Sequence, residues 1–298
     1  MLEVKNAELK YGDFVAVKSI SFELNEGEVF GLLGTNGAGK TTTFRMIMGL
    51  LKQSAGEVKY YNHEVSYKDV DEIGYMIEER SLLPKMRVKD LVYFFGGLRG
   101  VEKSIIDERL DYWLDRFQIT DYKNKKIKEL SKGNQQKVQF ISAIINNPKL
   151  LILDEPFSGL DPINTELFSS VIKDFKNKGS MVIFSSHQLD FVEEFCEKIV
   201  ILAKGEVIIE GYIDDIKRDF KKKNIIVVAD NVDINALQGI KGVISVEKRP
   251  HDYFIKIEND DVVNAVFDYV KKLDNVKKFD VVLPKLSEIF ISKVGENS

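Results

Sequence analysis

Short apolar segments alternate with helix-length segments of mixed polarity along most of this chain. Residues 1–30 consist of short alternating runs, which predict an antiparallel β region. Farther along, the apolar segments 150–153 and 181–184 flank residues 165–178, whose mixed polarity is typical of a surface helix. Strands that alternate with helices predict a parallel α/β sheet.

The segments between these regions fit the same alternation. A strand at 29–33 is followed by a predicted helix at 40–50, and further strands are predicted at 57–62 and 73–77. Residues 88–147 are helical in pattern throughout. We therefore expect an α/β domain that carries an antiparallel β-subdomain and a helical subdomain.

The pattern changes near residue 213. Residues 213–223 are highly charged and predict either a linker or a solvated helix face. The following elements are predicted in the order strand, helix, strand, strand, helix, strand, closed by a helix at 286–294. A β-α-β-β-α-β core is typical of a small α+β ferredoxin-like domain. We therefore expect a first domain over residues 1–215 and an accessory domain over residues 216–298.

Composition limits the classes of function. The chain has 298 residues, and its 43 Lys and Arg residues nearly balance 47 Asp and Glu residues, so no overall field favours nucleic acid as a partner. Cys196 is the only cysteine, which excludes an internal disulfide and fits a reducing compartment. No signal peptide is evident, and no apolar run approaches the roughly 18 to 20 residues that span a bilayer. We expect a soluble chain that can still sit on a membrane protein.

Residues 34–41 have the sequence GTNGAGKT and match the phosphate-binding pattern G-x-x-x-x-G-K-[ST] between a predicted strand and a predicted helix. The glycines let the backbone turn so that N–H groups point inward as an anion nest, and the helix N-terminus adds unpaired donors. Lys40 can reach the β- and γ-phosphates, and the Thr41 hydroxyl suits a Mg²⁺ ligand. Because chance produces such a match in roughly 1% of chains of this length, we expect nucleotide binding.

Polar residues also follow two predicted strands and begin one helix. Asp154 and Glu155 follow strand 150–153; Asp154 would hold Mg²⁺ through water and Glu155 would be the general base, the alternative being an ordinary acidic turn. Ser131 is a good helix N-cap, and at a helix N-terminus it could also form a second anion site. His187 follows strand 181–184, at the edge where parallel strands present ligand-binding residues.

Together these segments resemble the ATP-binding subunits of ABC transporters, in unbroken order over residues 1–215. The resemblance implies that Tyr11 stacks on adenine, although an ordinary strand residue is the alternative. It also implies that residues 34–42 form the Walker A loop. In the same comparison, Asp154 and Glu155 match the Walker B aspartate and the catalytic glutamate.

The resemblance extends to three further motifs. The stretch LSKGN at 130–134 resembles the signature motif, residues 158–161 resemble the D-loop, and His187 resembles the switch histidine that contacts the γ-phosphate. Two such domains pair head to tail in this family. The resemblance therefore implies that Ser131 and Gly133 complete the ATP site of a second copy of the chain.

The candidate site follows from these motifs. The predicted catalytic residues are Glu155, His187 and Lys40. The predicted Mg²⁺ ligands are Thr41, Glu78 and Asp154. The predicted ATP-binding residues are Tyr11, Gly34, Thr35, Asn36, Gly37, Ala38, Gly39, Lys40, Thr41, Thr42, Glu78, Ser131, Gly133 and Asp161.

The chain departs from the family pattern in two places. In the signature motif, Lys132 replaces the usual Gly and Asn134 the usual Gln. Glu78 stands where the family usually has a Gln. Its carboxylate can still bind a metal, but it adds negative charge beside the phosphates. The alternative is an ordinary loop carboxylate beside Glu79. The combination of EER…LLPKM, LSKGN and a C-terminal extension resembles the sodium-extrusion and drug-resistance branch of ABC exporters.

We therefore expect an ATP-hydrolysing subunit of an ABC exporter that acts with a separate membrane permease at the inner face of the cell membrane. The helical segment containing Tyr93, Phe94 and Phe95 would contact the permease, although these aromatics could equally be core residues. The alternative is a soluble ABC-type ATPase of translation or DNA repair. A P-loop GTPase is disfavoured because no Asn-Lys-x-Asp motif is present. For residues 216–298 we expect a role in dimerisation or regulation.

Overall fold

The structure is a computed structural model that describes residues 1–78 and 83–296. Glu79, Arg80 and Leu82, which belong to the EER…LLPKM stretch, lie outside the described residues. The chain divides into two compact units, residues 1–210 and 211–298.

The secondary structure up to the end of the first unit has ten strands and six α-helices among the described residues. The strands are β1 (Leu2–Tyr11), β2 (Phe14–Leu24), β3 (Val29–Gly34), β4 (Ala55–Tyr60), β5 (His63–Glu64), β6 (Ile73–Met76), β7 (Leu150–Leu153), β8 (Met181–Ser186), β9 (Lys198–Ala203) and β10 (Glu206–Tyr212). The helices are α1 (Lys40–Ile47), α2 (Val88–Leu98), α3 (Lys103–Arg116), α4 (Lys132–Ile144), α5 (Pro162–Asn177) and α6 (Leu189–Phe195).

Two sheets organise this unit. Strands β2, β1, β4 and β5 form an antiparallel sheet, in that spatial order. A second sheet has the order β10-β9-β3-β8-β7-β6, and β9, β3, β8, β7 and β6 pair in parallel. Every residue of β3, β7 and β8 is buried, as expected for parallel strands covered on both faces. The carboxyl ends of these strands therefore meet at one edge of the sheet.

The helical part of the unit packs around aromatic side chains. Phe140 of α4 stacks on Phe168 of α5 with ring centroids 4.7 Å apart, and Phe117 contacts both rings edge to face. All three are fully buried. Such ring pairs add to the stabilisation from burial itself. This cluster fixes α4 against α5, and both helices begin with residues of the candidate site.

The element order agrees with the sequence analysis, with differences at a few boundaries. Helix α1 ends at Ile47 rather than at residue 50, because Gly49 adopts a left-handed conformation with φ +67° and its N–H bonds to the Met46 carbonyl. Helix α6 and strands β9 and β10 occupy residues 189–212, where no element had been predicted. Residues 213–219, predicted as a linker or a helix, form a helix.

The second unit has four helices and four strands among its described residues. They are α7 (Ile213–Asp219), β11 (Lys223–Val228), α8 (Ile234–Gln238), β12 (Val243–Lys248), β13 (Tyr253–Ile257), α9 (Asp261–Val270), β14 (Lys278–Val282) and α10 (Leu286–Glu296). The strands form an antiparallel sheet in the order β12-β13-β11-β14. This order is that of a ferredoxin-like sheet, so the predicted fold class is confirmed.

The core of the second unit lies on one face of its sheet. Ile225 and Ile255 on neighbouring strands pack with Val262, Val266 and Val270, which share one face of α9 at a spacing of four residues. Among the described residues of the whole chain, no helix combines the length and the apolar character needed to cross a membrane.

Candidate functional site

The phosphate-binding pattern lies where β3 leaves the middle of the parallel sheet and α1 begins. All three of its glycines have positive φ angles: Gly34 +148°, Gly37 +78° and Gly39 +107°. A Cβ atom at Gly34 would lie 2.4 Å from the Leu202 carbonyl oxygen, and one at Gly39 would lie 2.7 Å from the Ala16 oxygen. Glycine is therefore required at both positions by backbone contact as well as by conformation.

Lys40 is the first residue of α1, and its side chain is buried. The Nζ atom donates to the Gly34 carbonyl oxygen at 2.7 Å and lies 3.5 Å from Glu155 Oε1. A buried ammonium group needs such partners, because removing a charge from water is costly unless it is paired. The contact with Glu155 brings the phosphate-binding pattern and the end of β7 together.

Thr41 and Asp154 meet at the same point. The Thr41 hydroxyl donates to Asp154 Oδ2 at 2.9 Å, and the other carboxylate oxygen accepts from the Ser185 hydroxyl at 2.6 Å. Asp154 is almost completely buried, and its N–H bonds to the Met76 carbonyl of the neighbouring strand. The hydroxyl and carboxylate oxygens of Thr41 and Asp154 are the hard donors that Mg²⁺ accepts.

Glu155 adopts a left-handed backbone conformation, with φ +52°, in the turn after β7. A non-glycine residue with this conformation is uncommon and often marks a functional site. Its backbone N–H donates to Ser185 Oγ at 2.9 Å, and its Oε2 lies 2.9 Å from His187 Nδ1. The carboxylate therefore lies between Lys40 and His187, with the imidazole half exposed and the carboxylate buried.

A cavity of about 530 Å³ opens in front of these residues. Its lining residues are Tyr11, Phe14, Ala16, Thr35, Asn36, Gly37, Ala38, Gly39, Lys40, Thr41, Thr42 and Glu78. Tyr11 and Phe14 flank the turn of the β1–β2 hairpin and are 51% and 65% exposed, so each presents a free ring face to the cavity mouth. Glu78, also exposed, follows β6 at the opposite wall.

Ser131, Gly133 and Asp161 do not line this cavity. Ser131 is the N-cap of α4, and its Oγ accepts from the Asn134 N–H at 3.3 Å. Asp161 is the N-cap of α5, with Pro162 in the first helical position and the Asn164 N–H donating to Oδ1 at 2.9 Å. That backbone hydrogen bond lowers the pKa of Asp161. Within one copy of the chain these residues therefore begin helices away from the cavity.

Two residues were missed by the sequence analysis. Ser185 holds both the Asp154 carboxylate and the Glu155 N–H, and the only signal was its place at the end of an apolar strand before His187. Phe14 shares the cavity mouth with Tyr11, and its signal was an aromatic residue beside a predicted turn. In both cases the residue type is common in strands, so only the contact shows its importance.

A phosphate-binding loop on a central parallel strand, with the carboxylates that follow β7, two strands away in the same sheet, beside it, defines a P-loop nucleotide-binding protein. Residues 17–158 match the family model described as ABC transporter, and residues 211–294 match the model described as ATP-binding protein DrrA1-3-like, C-terminal domain. The chain belongs to the family of ABC transporter ATP-binding proteins, as its resemblance to that family predicted. Membership in this family implies ATP binding and hydrolysis.

Individual relatives agree with this assignment. The chain is 45% identical over 295 residues to the ABC transporter ATP-binding protein YhaQ of Bacillus subtilis, and the aligned residues cover 99% of each chain. It is 32% identical over 214 residues to the ABC transporter ATP-binding protein NatA of Bacillus subtilis, covering 70% of this chain and 87% of NatA. A dimeric post-hydrolysis structure of the ATP-binding cassette MJ0796 with ADP and Pi has a TM-score of 0.65 at 26% identity, covering 72% and 99% of the two chains.

Proposed function

We propose that this chain is the ATPase subunit of an ABC exporter and that its ATP cycle moves a substrate through a separate membrane permease. The observation that carries the enzymatic part is the position of the Glu155 carboxylate between Lys40 and His187, beside the Thr41–Asp154 pair. This arrangement has the parts that phosphoryl transfer to water requires: a phosphate loop, a metal-binding carboxylate and a base.

In this proposal Glu155 accepts the proton of the attacking water as the bond from the water oxygen to the γ-phosphorus forms and the bond from the γ-phosphorus to the bridging oxygen breaks, which releases ADP and inorganic phosphate. His187 orients the Glu155 carboxylate from one side and reaches the γ-phosphate from its exposed edge. Lys40 would exchange its contact with Glu155 for the phosphate oxygens. Thr41, Asp154 and Glu78 would hold Mg²⁺, which neutralises charge on the phosphate oxygens when bound. Tyr11 and Phe14 offer ring faces to the adenine.

A head-to-tail dimer would complete the site. Ser131 is exposed and Gly133 is partly exposed at the N-terminus of α4, where unpaired N–H groups favour an anion. Because neither residue lines the cavity of its own chain, they are available to the ATP of a second copy. Asp161 would lie in the same interface. The dimeric form of the MJ0796 cassette, which is similar to this chain, supports the proposal.

The permease would dock between α2 and α4. A groove of about 180 Å³ there is lined by Tyr75, Ile77, Leu91, Phe95, Arg99, Ile127, Gln135, Gln139 and Ser142. Burial lowers the pKa of Arg99 to about 10, with no carboxylate among the described residues counteracting it. The Arg99 guanidinium donates to the Ser142 carbonyl oxygen at 2.8 Å. Phe94 and Leu98 on α2 are also exposed. A cytoplasmic helix with an apolar face and one carboxylate would complement this surface.

The exporter direction rests on the second unit. Its match to a DrrA1-3-like C-terminal domain and the similarity to NatA support the drug-resistance and sodium-extrusion branch that the sequence resembles. For this unit we propose a role in dimerisation or regulation. Deletion of residues 217–298 should then change the ATPase rate or the affinity of the dimer, and a truncated chain unchanged in both would contradict this role.

The test of the enzymatic proposal is Glu155→Gln. Removing the base should abolish ATP turnover while leaving binding intact, so that ATP-loaded dimers accumulate in analytical ultracentrifugation. Hydrolysis at the unchanged rate would show that Glu155 is not the base.

The proposed contact with a membrane permease is tested by purifying the chain from membranes, with and without the substitution Arg99→Gln. Co-purification of an integral membrane protein, reduced by the substitution, is expected, whereas its absence would favour a soluble ABC-type ATPase.

A further inference from the structure

A second cavity in the first unit lies outside the site discussed above. It has a volume of about 640 Å³ and lies between α5 and α6. Its lining residues are Phe157, Leu160, Pro162, Thr165, Glu166, Ser169, Ser170, Lys173, Gln188, Phe191, Glu194 and Phe195. We call it the α5–α6 groove. Its volume is within the range of ordinary small-molecule sites, which is about 300 to 1,000 Å³.

The floor of the α5–α6 groove is aromatic. The ring of Phe157 stacks on Phe191 and on Phe195, with centroids 5.3 Å and 5.9 Å apart and interplanar angles of 19° and 21°. Phe157 and Phe195 are buried, and Phe191 is partly exposed. Aromatic ring faces carry partial negative charge, so a floor of this kind accepts apolar groups and cations.

The polar groups around this floor are two carboxylates, one ammonium group, the side-chain amide of Gln188 and the hydroxyls of Thr165, Ser169 and Ser170. Glu166 on α5 has no ion pair among the described residues, and Glu194 on α6 is 4.0 Å from the Lys173 ammonium, a long contact. The amide oxygen of Gln188 is buried and has no hydrogen-bond donor among the described residues. Two carboxylates and an unpaired amide oxygen therefore face one ammonium group.

The groove already holds one cation of its own. The Lys173 Nζ atom lies 4.7 Å from the centroid of the Phe195 ring, in the geometry of a cation–π contact. This contact shows that the floor can hold an ammonium group. After this pairing the Glu166 carboxylate and the Gln188 oxygen still lack a donor within residues 1–78 and 83–296.

We propose that the α5–α6 groove binds an organic cation with an apolar body and that its occupancy is coupled to the ATPase site. The apolar body would cover the Phe157 and Phe191 rings, and the cationic head would lie between Glu166 and Glu194 and donate to Gln188 Oε1. A basic helix of another protein has a similar charge, but the volume of about 640 Å³ and the buried amide oxygen favour a small molecule.

The coupling follows from the connections of the groove to the catalytic residues. Phe157 is two residues after Glu155, and Gln188 directly follows His187. A ligand that covers the Phe157 and Phe191 rings and draws Glu194 and Gln188 toward its cationic head would move the start of α6 relative to the end of β7. The contact between Glu155 and His187, 2.9 Å in the free chain, would lengthen. We therefore expect an occupied groove to reduce ATP turnover.

The probes are phenylbutylamine and phenylbutyrate, which share an apolar body and differ in the sign of the charge. Ligand-detected NMR titration of the full chain should show binding of the amine and not of the acid. The double variant Glu166→Gln, Glu194→Gln should bind the amine at least tenfold more weakly, a loss of about 1.4 kcal/mol. Glu193→Gln on the same helix removes a carboxylate that does not line the groove, so it should bind normally.

Several results would overturn the proposal. Equal binding of the amine and the acid would exclude Glu166 and Glu194 as the residues that select a cation. Undiminished binding of the amine by the double variant would exclude them in the same way. Binding of a Lys-rich helical peptide at this groove without binding of the amine would assign it to a protein partner instead. For the coupling, saturating amine should lower ATP turnover at least twofold in the unmodified chain and leave the double variant unaffected. An unchanged rate with the amine bound would exclude coupling.

Discussion

The two units of this chain use a β-sheet in different ways. In residues 1–210 the strands β3, β7 and β8 are parallel and wholly buried, and their carboxyl ends deliver Gly34, Asp154 and Ser186 to one edge. In residues 211–296 the sheet is antiparallel and only partly buried, for example along β12 and β14. Antiparallel strands end alternately at opposite edges, so their polar residues do not converge.

The difference explains where chemistry is possible. Parallel strands bring loops from distant parts of the sequence to one place, so a charged cluster forms at the edge of the sheet. In the second unit the polar residues instead pair across the sheet and α10: Glu288 contacts Lys256 at 2.8 Å and Asn224 at 2.7 Å. The same kinds of side chain thus build a site in one unit and hold a helix in the other.

The largest effect on ATP binding and stability is expected at the phosphate loop of the first unit. In Gly34→Ala the new Cβ would meet the Leu202 backbone at 2.4 Å, so ATP binding should be lost and the free energy of unfolding should fall by about 2–4 kcal/mol. Gly37→Ala is the control, because no described atom would lie within 4 Å of its Cβ and only left-handed strain, about 1–2 kcal/mol, remains. Nucleotide titration and urea denaturation measure both. Equal effects would contradict the role of the close approach.

A smaller effect is expected at Ser185, which positions Asp154 and Glu155. Ser185→Ala removes both hydrogen bonds and should lower kcat roughly tenfold to a hundredfold through misplacement of the base. Stability should fall by about 1–3 kcal/mol because buried groups lose their partner. Ser180→Ala is the matched control at the other end of β8, where the hydroxyl donates to the Pro148 oxygen. If both variants lower kcat equally, the effect is not specific to the site.

The smallest effect is expected in the second unit, through Glu288. Burial raises the pKa of this carboxyl, but hydrogen bonds from Lys256, Asn224 and the Lys285 N–H outweigh burial and lower it below its ordinary value of 4.5. Because the folded-state pKa is lowered, its stabilisation is complete above about pH 4.5 and is lost as the pH falls through the folded-state value. Glu288→Gln should therefore reduce stability near pH 7 by up to about 1 kcal/mol and flatten the acid dependence. An acid-unfolding curve identical to that of the unmodified chain would exclude this contribution.

Much of the fold was predictable because its signals are local. Wholly apolar segments marked β7 and β8, and the change of pattern near residue 213 marked the second unit. The same kind of reasoning failed between residues 189 and 212, where α6, β9 and β10 follow one another closely. Helix α6 has only seven residues, too few to show a clear helical period.

The site was predictable to the extent that single segments encode it. The glycines of residues 34–39 and the Ser131 helix cap are local features, because each depends on backbone within a few residues. Ser185 could not be identified in this way, since a serine at the end of a strand is common. Its importance lies in two contacts with residues about 30 positions away in sequence.

The amino-acid sequence by itself determined the phosphate loop, the family and the order of the elements outside residues 189–212, because these depend on local backbone preferences and on the spacing of apolar residues. Only the tertiary structure decided that Thr41 meets Asp154, 113 residues away, and that His187 meets Glu155, 32 residues away. Contacts of this kind depend on how the parallel strands are ordered in the sheet. It also decided that the rings of Phe157, Phe191 and Phe195 stack at the floor of a groove, because α6 packs against the turn after β7 that carries Phe157.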